Sequence, residues 1–171
     1  MSLPEPDEKP GDKSVPRIGE RLQRDLENII ARYLARMRSD PDIPTKSLPT
    51  AVLEDHAMSF LSDLFQSLVI LEKSAELNER DESELLNDGS RIQAIAADLH
   101  GRQRHRRGWT TTALEREYHI FREEIETLVK LNTQDIDDTD RVAWALKILL
   151  RQLERAREAS FAAFGAVGKS N

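Results

Sequence analysis

The sequence of 171 residues contains no cysteine, which excludes disulfide bonds, thiol redox chemistry and thiolate metal sites. Aromatic residues make up only 5% of the chain, and glycine and proline number 7 each. No apolar run is long enough to cross a membrane, and the residues after Met1 lack the apolar core of a signal peptide. No alternating strand pattern bounded by turn residues occurs either. These absences predict an all-α protein of the cytoplasm.

Charged residues are abundant, with 31 acidic and 25 basic side chains and a net charge of -6. An acidic balance argues against nucleic-acid binding, because affinity for phosphates comes from a net basic face. No glycine-rich phosphate loop, GxSxG motif or cysteine nucleophile is present, so the sequence predicts no enzyme. Residues 1–15 are rich in Pro, Asp, Glu and Lys and are predicted to be a disordered tail.

Apolar residues at helical spacing predict about five main helices with short connections, arranged as a helical bundle or a globin-like domain. Pro44 and its neighbours separate the first two helices, and a charged connection over 73–89 separates the second from the third. The domain is expected over 16–165, followed by a frayed end over 166–171. The predicted helices run from 16 to about 38, from 47 or 49 to about 72, from 88–90 to 107, from 110 to about 128, and from 138 or 139 to about 164.

The third and fourth helices form an αα-hairpin whose turn is marked by Gly108 and a run of threonines. Arg104 and Glu117 lie on opposite sides of this turn, each near an apolar stripe. The hairpin therefore predicts a partly buried ion pair between them, with His100 and Arg122 nearby. A helix-turn-helix interpretation is disfavoured, because the second helix presents carboxylates that would face DNA phosphates.

A basic cluster closes the third helix and consists of His100, Arg102, Arg104, His105, Arg106 and Arg107. Cations at a helix C-terminus interact favourably with the macrodipole and can pair with the glutamates of the next helix. The alternative is an anion site or a docking face, for which the candidate contacts are His56, Arg106 and Arg107.

No metal site is expected, because the histidines lack metal-ligand spacing and no HExxH motif occurs. The acidic loop over 135–140 lacks the central glycine and distal glutamate of a calcium loop. Haem binding through His56 or His100 remains a rival interpretation of a helical protein of this size.

The run from His100 to Ile125 resembles the RsbRD-type N-terminal domain of bacterial sensor histidine kinases and stressosome regulators. The residues that carry the likeness are His100, Gly101, Arg104, Gly108, Trp109, Leu114, Arg116, Glu117, Tyr118, Arg122 and Ile125. The pair Asp55-His56 also resembles the start of that family's second helix. The likeness extends over about 22–164, but the 73–89 connection is longer and the arginines are denser than in the family pattern.

This resemblance implies a globin-like sensory domain without haem that relays a signal to a downstream output domain, such as a histidine kinase. It implies that a structural and signalling polar set is formed by His100, Arg104, Glu117, Tyr118 and Arg122. Rival hypotheses are a stand-alone small-ligand or haem-binding protein and, less favoured, a DNA-binding regulator.

The terminal helices carry more apolar surface than one small core needs, and exposed apolar patches mark interfaces. The sequence therefore predicts a homodimer through the first and last helices, with Ile29, Tyr33, Phe161 and Phe164 in the interface. No cofactor, membrane or nucleic-acid partner is expected, and the small-molecule ligand is unspecified.

Overall fold

The fold is all-α, as the sequence predicts. A computed structural model describes residues 17–45, 48–74 and 79–168, and within these ranges it contains six helices and no strand. The helices are α1 (Ile18–Arg24), α2 (Leu26–Ser39), α3 (Thr50–Lys73), α4 (Glu79–Arg106), α5 (Thr111–Asn132) and α6 (Thr139–Gly168). The predicted tail over 1–15 and the end of the predicted frayed segment, 169–171, lie outside the described residues.

The single first helix that the sequence predicts is divided at Asp25 into α1 and α2. Aspartate is a weak helix former because its carboxylate competes for local hydrogen bonds. Here that carboxylate accepts hydrogen bonds from the side chains of Asn28, in the next turn, and Asn132, at the end of α5. Asp25 therefore connects the α1–α2 junction to the end of α5 through its hydrogen bond with Asn132.

The predicted connection over 73–89 is wrong, because α4 already begins at Glu79. The segment over 79–88 contains three glutamates and two leucines, which favour a helix, and a single glycine does not end one. The charged residues of this segment lie on a helix rather than in a connection. The sequence also predicts Leu77, Leu85 and Leu86 as apolar anchors of this connection, and their side chains lie outside those described.

The closest helix packing joins α4 to α6 at Gly101. A Cβ atom added to Gly101 would lie 2.0 Å from the backbone oxygen of Ser160, so only glycine permits this approach. In contrast, α4 makes few contacts with α3. The arrangement holds α4 firmly on α6 and leaves a cleft between α3 and α4.

The predicted dimer face on the first helix is wrong, because Ile29 and Tyr33 are 0% and 1% exposed. They fill the core between α2, α3 and α5, with the Tyr33 ring stacked on Phe121 at 4.2 Å between centroids. Phe164 is also buried, with its ring 5.0 Å from that of His105. Of the four predicted interface residues, only Phe161 is partly accessible. The apolar stripe that suggested an interface is needed for the core.

Within the described ranges, no helix has both the length and the apolar character that a membrane span requires.

Candidate functional site

The hairpin turn is closed by a Schellman motif at the end of α4. Gly108 adopts a φ of 75°, and its N–H donates to the carbonyl of His105 at 2.9 Å. The N–H of Trp109 donates to the carbonyl of Arg104 at 3.1 Å, which completes the motif. Thr110 then caps α5 by accepting from the N–H of Ala113 at 3.1 Å. The glycine stop and threonine restart therefore fix the angle between α4 and α5.

Arg104 and Glu117 form the predicted ion pair across this turn. The guanidinium donates from Nη2 to Glu117 Oε1 at 2.7 Å and from Nε to Oε2 at 3.1 Å. Both side chains are 0% exposed, so the pair is buried completely rather than partly. The guanidinium also lies over the Trp109 ring, 4.5 Å from its centroid. Its charge is thus held between a carboxylate and an aromatic face.

The carboxylate of Glu117 accepts two further hydrogen bonds, which makes it the centre of a buried network. Tyr33 Oη donates to Oε1 at 2.8 Å, and His100 Nε2 lies 2.9 Å from Oε2. Burial alone raises the pKa of this carboxyl, but its electrostatic interactions and hydrogen bonds with His100 and Arg104 outweigh burial and hold the pKa well below its usual value. Glu117 is therefore an ionised carboxylate, which accepts hydrogen bonds and cannot donate one.

Two side chains of the network region connect it directly to α6. Tyr118 donates from its hydroxyl to the carbonyl of Ala156 at 3.3 Å, and Gln93 on α4 donates to Gln152 at 3.3 Å. Burial raises the pKa of the Tyr118 phenol above its usual value, so this hydroxyl keeps its proton. Side chains beside the network on α4 and α5 thus each bond to α6.

Arg122 does not join the network, contrary to the prediction. It is exposed and pairs with Glu126 on its own helix, Nε to Oε1 at 3.0 Å. The reason is helical geometry, since five residues beyond Glu117 is about 140° around the helix axis. Its role is that of an ordinary surface ion pair.

A cleft of about 210 Å³ opens between α3 and α4 directly above the network. His56 on α3 and His100 on α4 both line it, with ring centroids 5.6 Å apart. Phe60 and Phe121 form an aromatic wall, and the exposed side chain of Leu99 stands at the rim. The cleft therefore combines an apolar lining with a few buried polar groups, as small-molecule sites do.

The predicted anion contacts are not brought together. His56 lines the cleft, but Arg106 and Arg107 are exposed at the end of α4 and do not line it. Arg102 pairs with Asp98 one turn back, Nε to Oδ2 at 2.7 Å. The exposed arginines thus stand where a helix macrodipole favours cations.

Sequence reasoning missed Tyr33 as a site residue and assigned it to an interface. One signal was present, because a tyrosine inside a buried stripe needs a partner for its hydroxyl. It also missed Gln93, whose side chain is 4% exposed and lines the cleft.

No group of three or more metal-ligating side chains occurs among the described residues. For the rival haem interpretation, the geometry is unfavourable at His100, because its Nε2 is engaged by Glu117. Comparison of the chain with protein-family models, curated proteins and solved structures finds no match. The resemblance to the RsbRD-type domain therefore stays a prediction.

Proposed function

We propose that this chain is a ligand-responsive sensory module, the N-terminal input domain of a bacterial signal-transduction protein such as a sensor histidine kinase. The module itself is not an enzyme. A small molecule enters the cleft between α3 and α4, and the response leaves through α6 to a downstream output domain. Allosteric response of this kind needs a ligand site and an element whose position the ligand biases.

One observation carries this proposal: cleft-lining side chains hydrogen-bond directly to α6. Gln93 and Tyr118 line the cleft, and their partners on α6 are Gln152 and the Ala156 carbonyl. A ligand that displaces either side chain must break or move a contact with α6.

The contact at Gly101 makes α6 sensitive to small movements of α4. Because there is no space between Gly101 and Ser160, α4 cannot move toward α6 without displacing it. The weaker contact on the other side lets α4 move relative to α3. Ligand entry therefore acts on a helix that packs loosely against α3 and tightly against α6.

A homodimer is part of the proposal, since paired C-terminal helices suit a dimeric output domain. Its interface excludes the buried residues Ile29, Tyr33 and Phe164. Light scattering tests this part: a dimer at high micromolar concentration supports it, and a monomer contradicts it.

The sensory role is tested by fusing the chain through the end of α6 to a histidine kinase core. Autophosphorylation is measured with and without a protein-free bacterial extract. The variant Ala96→Trp fills the cleft from an exposed lining position, and Ala143→Trp adds the same ring at an exposed position of α6 away from the cleft. We expect the extract to change the rate for the unmodified fusion and for Ala143→Trp, but not for Ala96→Trp. Equal rates under all conditions would contradict a sensory role.

A further inference from the structure

The size of the cleft limits its ligand to one or two rings. A buried cavity of about 150 Å³ holds one benzene molecule. At about 210 Å³, this cleft has room for a single ring with a substituent or for a fused bicyclic system. Long-chain and macrocyclic ligands exceed that volume.

The aromatic wall of the cleft favours a flat ligand. The Phe60 and Phe121 rings are tilted at 57° with centroids 5.6 Å apart, and the back of Phe121 stacks on Tyr33. Ring faces and edges in such an arrangement offer offset and edge-on contacts to another aromatic ring. Ala57 and Ala97 add small apolar surfaces that leave space for it.

The charges around the cleft disfavour an anionic ligand. Among the described lining residues Arg104 is the single guanidinium or ammonium group, and its charge is already paired with Glu117. The carboxylate of Asp63 lies at the exposed edge of the cleft, where it would repel an acid. A desolvated anion without a counter-charge is strongly disfavoured.

His100 offers a ligand in the cleft a hydrogen-bonding atom close to the aromatic wall, its Nδ1. Because the Glu117 carboxylate only accepts, His100 Nε2 must carry the proton of their hydrogen bond. Nδ1 is then the nitrogen of this ring that is left for a ligand in the cleft, and without a second proton it accepts a hydrogen bond.

From these observations we infer that the cleft binds a small uncharged aromatic molecule carrying one O–H or N–H donor, of the phenol or indole class. The donor is directed at Nδ1 of His100, and the ring lies against Phe60 and Phe121. This inference rests on the proposed function, since it names the ligand of the same cleft.

Three probes of similar size separate the contribution of the hydrogen-bond donor from that of ligand charge. Indole carries the donor, benzofuran has the same shape without it, and benzoate is an anion. Binding to the full chain is measured by calorimetry or ligand-observed NMR. We expect indole to bind roughly 3- to 10-fold more tightly than benzofuran, the range of one net hydrogen bond. Benzoate should bind more weakly than either.

The variants of the kinase experiment serve here as matched controls, because both substitutions are at exposed alanines. Indole should fail to bind Ala96→Trp and should bind Ala143→Trp as it binds the unmodified chain. Three results would overturn the inference: benzoate binding more tightly than indole, benzofuran binding as tightly as indole, or no probe binding at millimolar concentration. If the fused kinase still responds to extract in an Ala96-dependent way, such a result refutes the ligand class and leaves the sensory function intact.

Discussion

Replacing Glu117 with glutamine should destabilise the protein more than almost any other substitution of a single polar side chain. The side chain keeps its size, but it loses its charge and half of its acceptor capacity. At present the two carboxylate oxygens accept four hydrogen bonds, from Tyr33, His100 and twice from Arg104. After Glu117→Gln, the guanidinium of Arg104 stays buried at 0% exposure without a counter-charge.

The expected cost follows from that uncompensated charge. Removing one partner of a buried ion pair costs about 3–5 kcal/mol in the free energy of unfolding. For a domain of this size each kcal/mol corresponds to about 2–4 °C, so the melting temperature should fall by roughly 6–20 °C. Urea denaturation followed by circular dichroism measures the change directly.

A surface pair on the same helix supplies the control. Arg122→Ala breaks the exposed pair with Glu126 and should cost only about 0.3–0.5 kcal/mol. The double variant Arg104→Met with Glu117→Leu should be less destabilised than the sum of its single variants by about 2–3 kcal/mol, because neither charge is left unpaired. A Glu117→Gln protein within about 1 kcal/mol of the unmodified protein would refute the role assigned to this network.

Three further predictions concern stability and titration. Gly101→Ala should cost about 1–3 kcal/mol through overpacking, whereas Gly165→Ala, with no atom within 4 Å of the added carbon, should be neutral or stabilising in urea melts; equal effects would contradict the close α4–α6 contact. Folding raises the pKa of both tyrosines, Tyr33 and Tyr118, mainly by burial. Their neutral phenols therefore contribute to the free energy of unfolding below pH 10, the ordinary pKa, and this contribution is lost as pH rises above that value. An absorbance titration should therefore show no phenolate near pH 10 while the fold persists; a normal transition would count against their burial. Folding lowers the pKa of Glu117. The ionised carboxylate therefore contributes to the free energy of unfolding above pH 4.5, the ordinary pKa, and this contribution is lost as pH falls below that value. The stability difference between the unmodified protein and Glu117→Gln should accordingly shrink in acid, and a constant difference would contradict the lowered pKa.

Helix ends marked by specific residues were predictable from the sequence. Gly108 and Thr110 define the α4–α5 turn, and the polar break before Thr139 marks the start of α6. The start of α4 was not predictable from apolar spacing, because its first turns are charged and resemble a connection. The division at Asp25 depends on a hydrogen bond from Asn132, which lies 107 residues away in sequence.

The candidate site was predictable only where its residues are close in sequence. Arg104 and Glu117 are 13 residues apart across one turn, so the hairpin alone places them together. Tyr33 reaches the same carboxylate from 84 residues away, and His56 meets His100 across the cleft, so only the tertiary fold brings them there. Arg122 is close to Glu117 in sequence but lies about 140° around α5 from it, so closeness in sequence alone does not place it in the network.

The central claim, that occupancy of the cleft is transmitted to α6, is tested most directly by hydrogen–deuterium exchange at the backbone amides of α6. The account predicts that saturating indole changes exchange around Gln152 and Ala156, the two points at which cleft-lining side chains are bonded to α6. The change should disappear in Ala96→Trp. Unchanged exchange throughout α6 with the cleft demonstrably occupied would contradict the account.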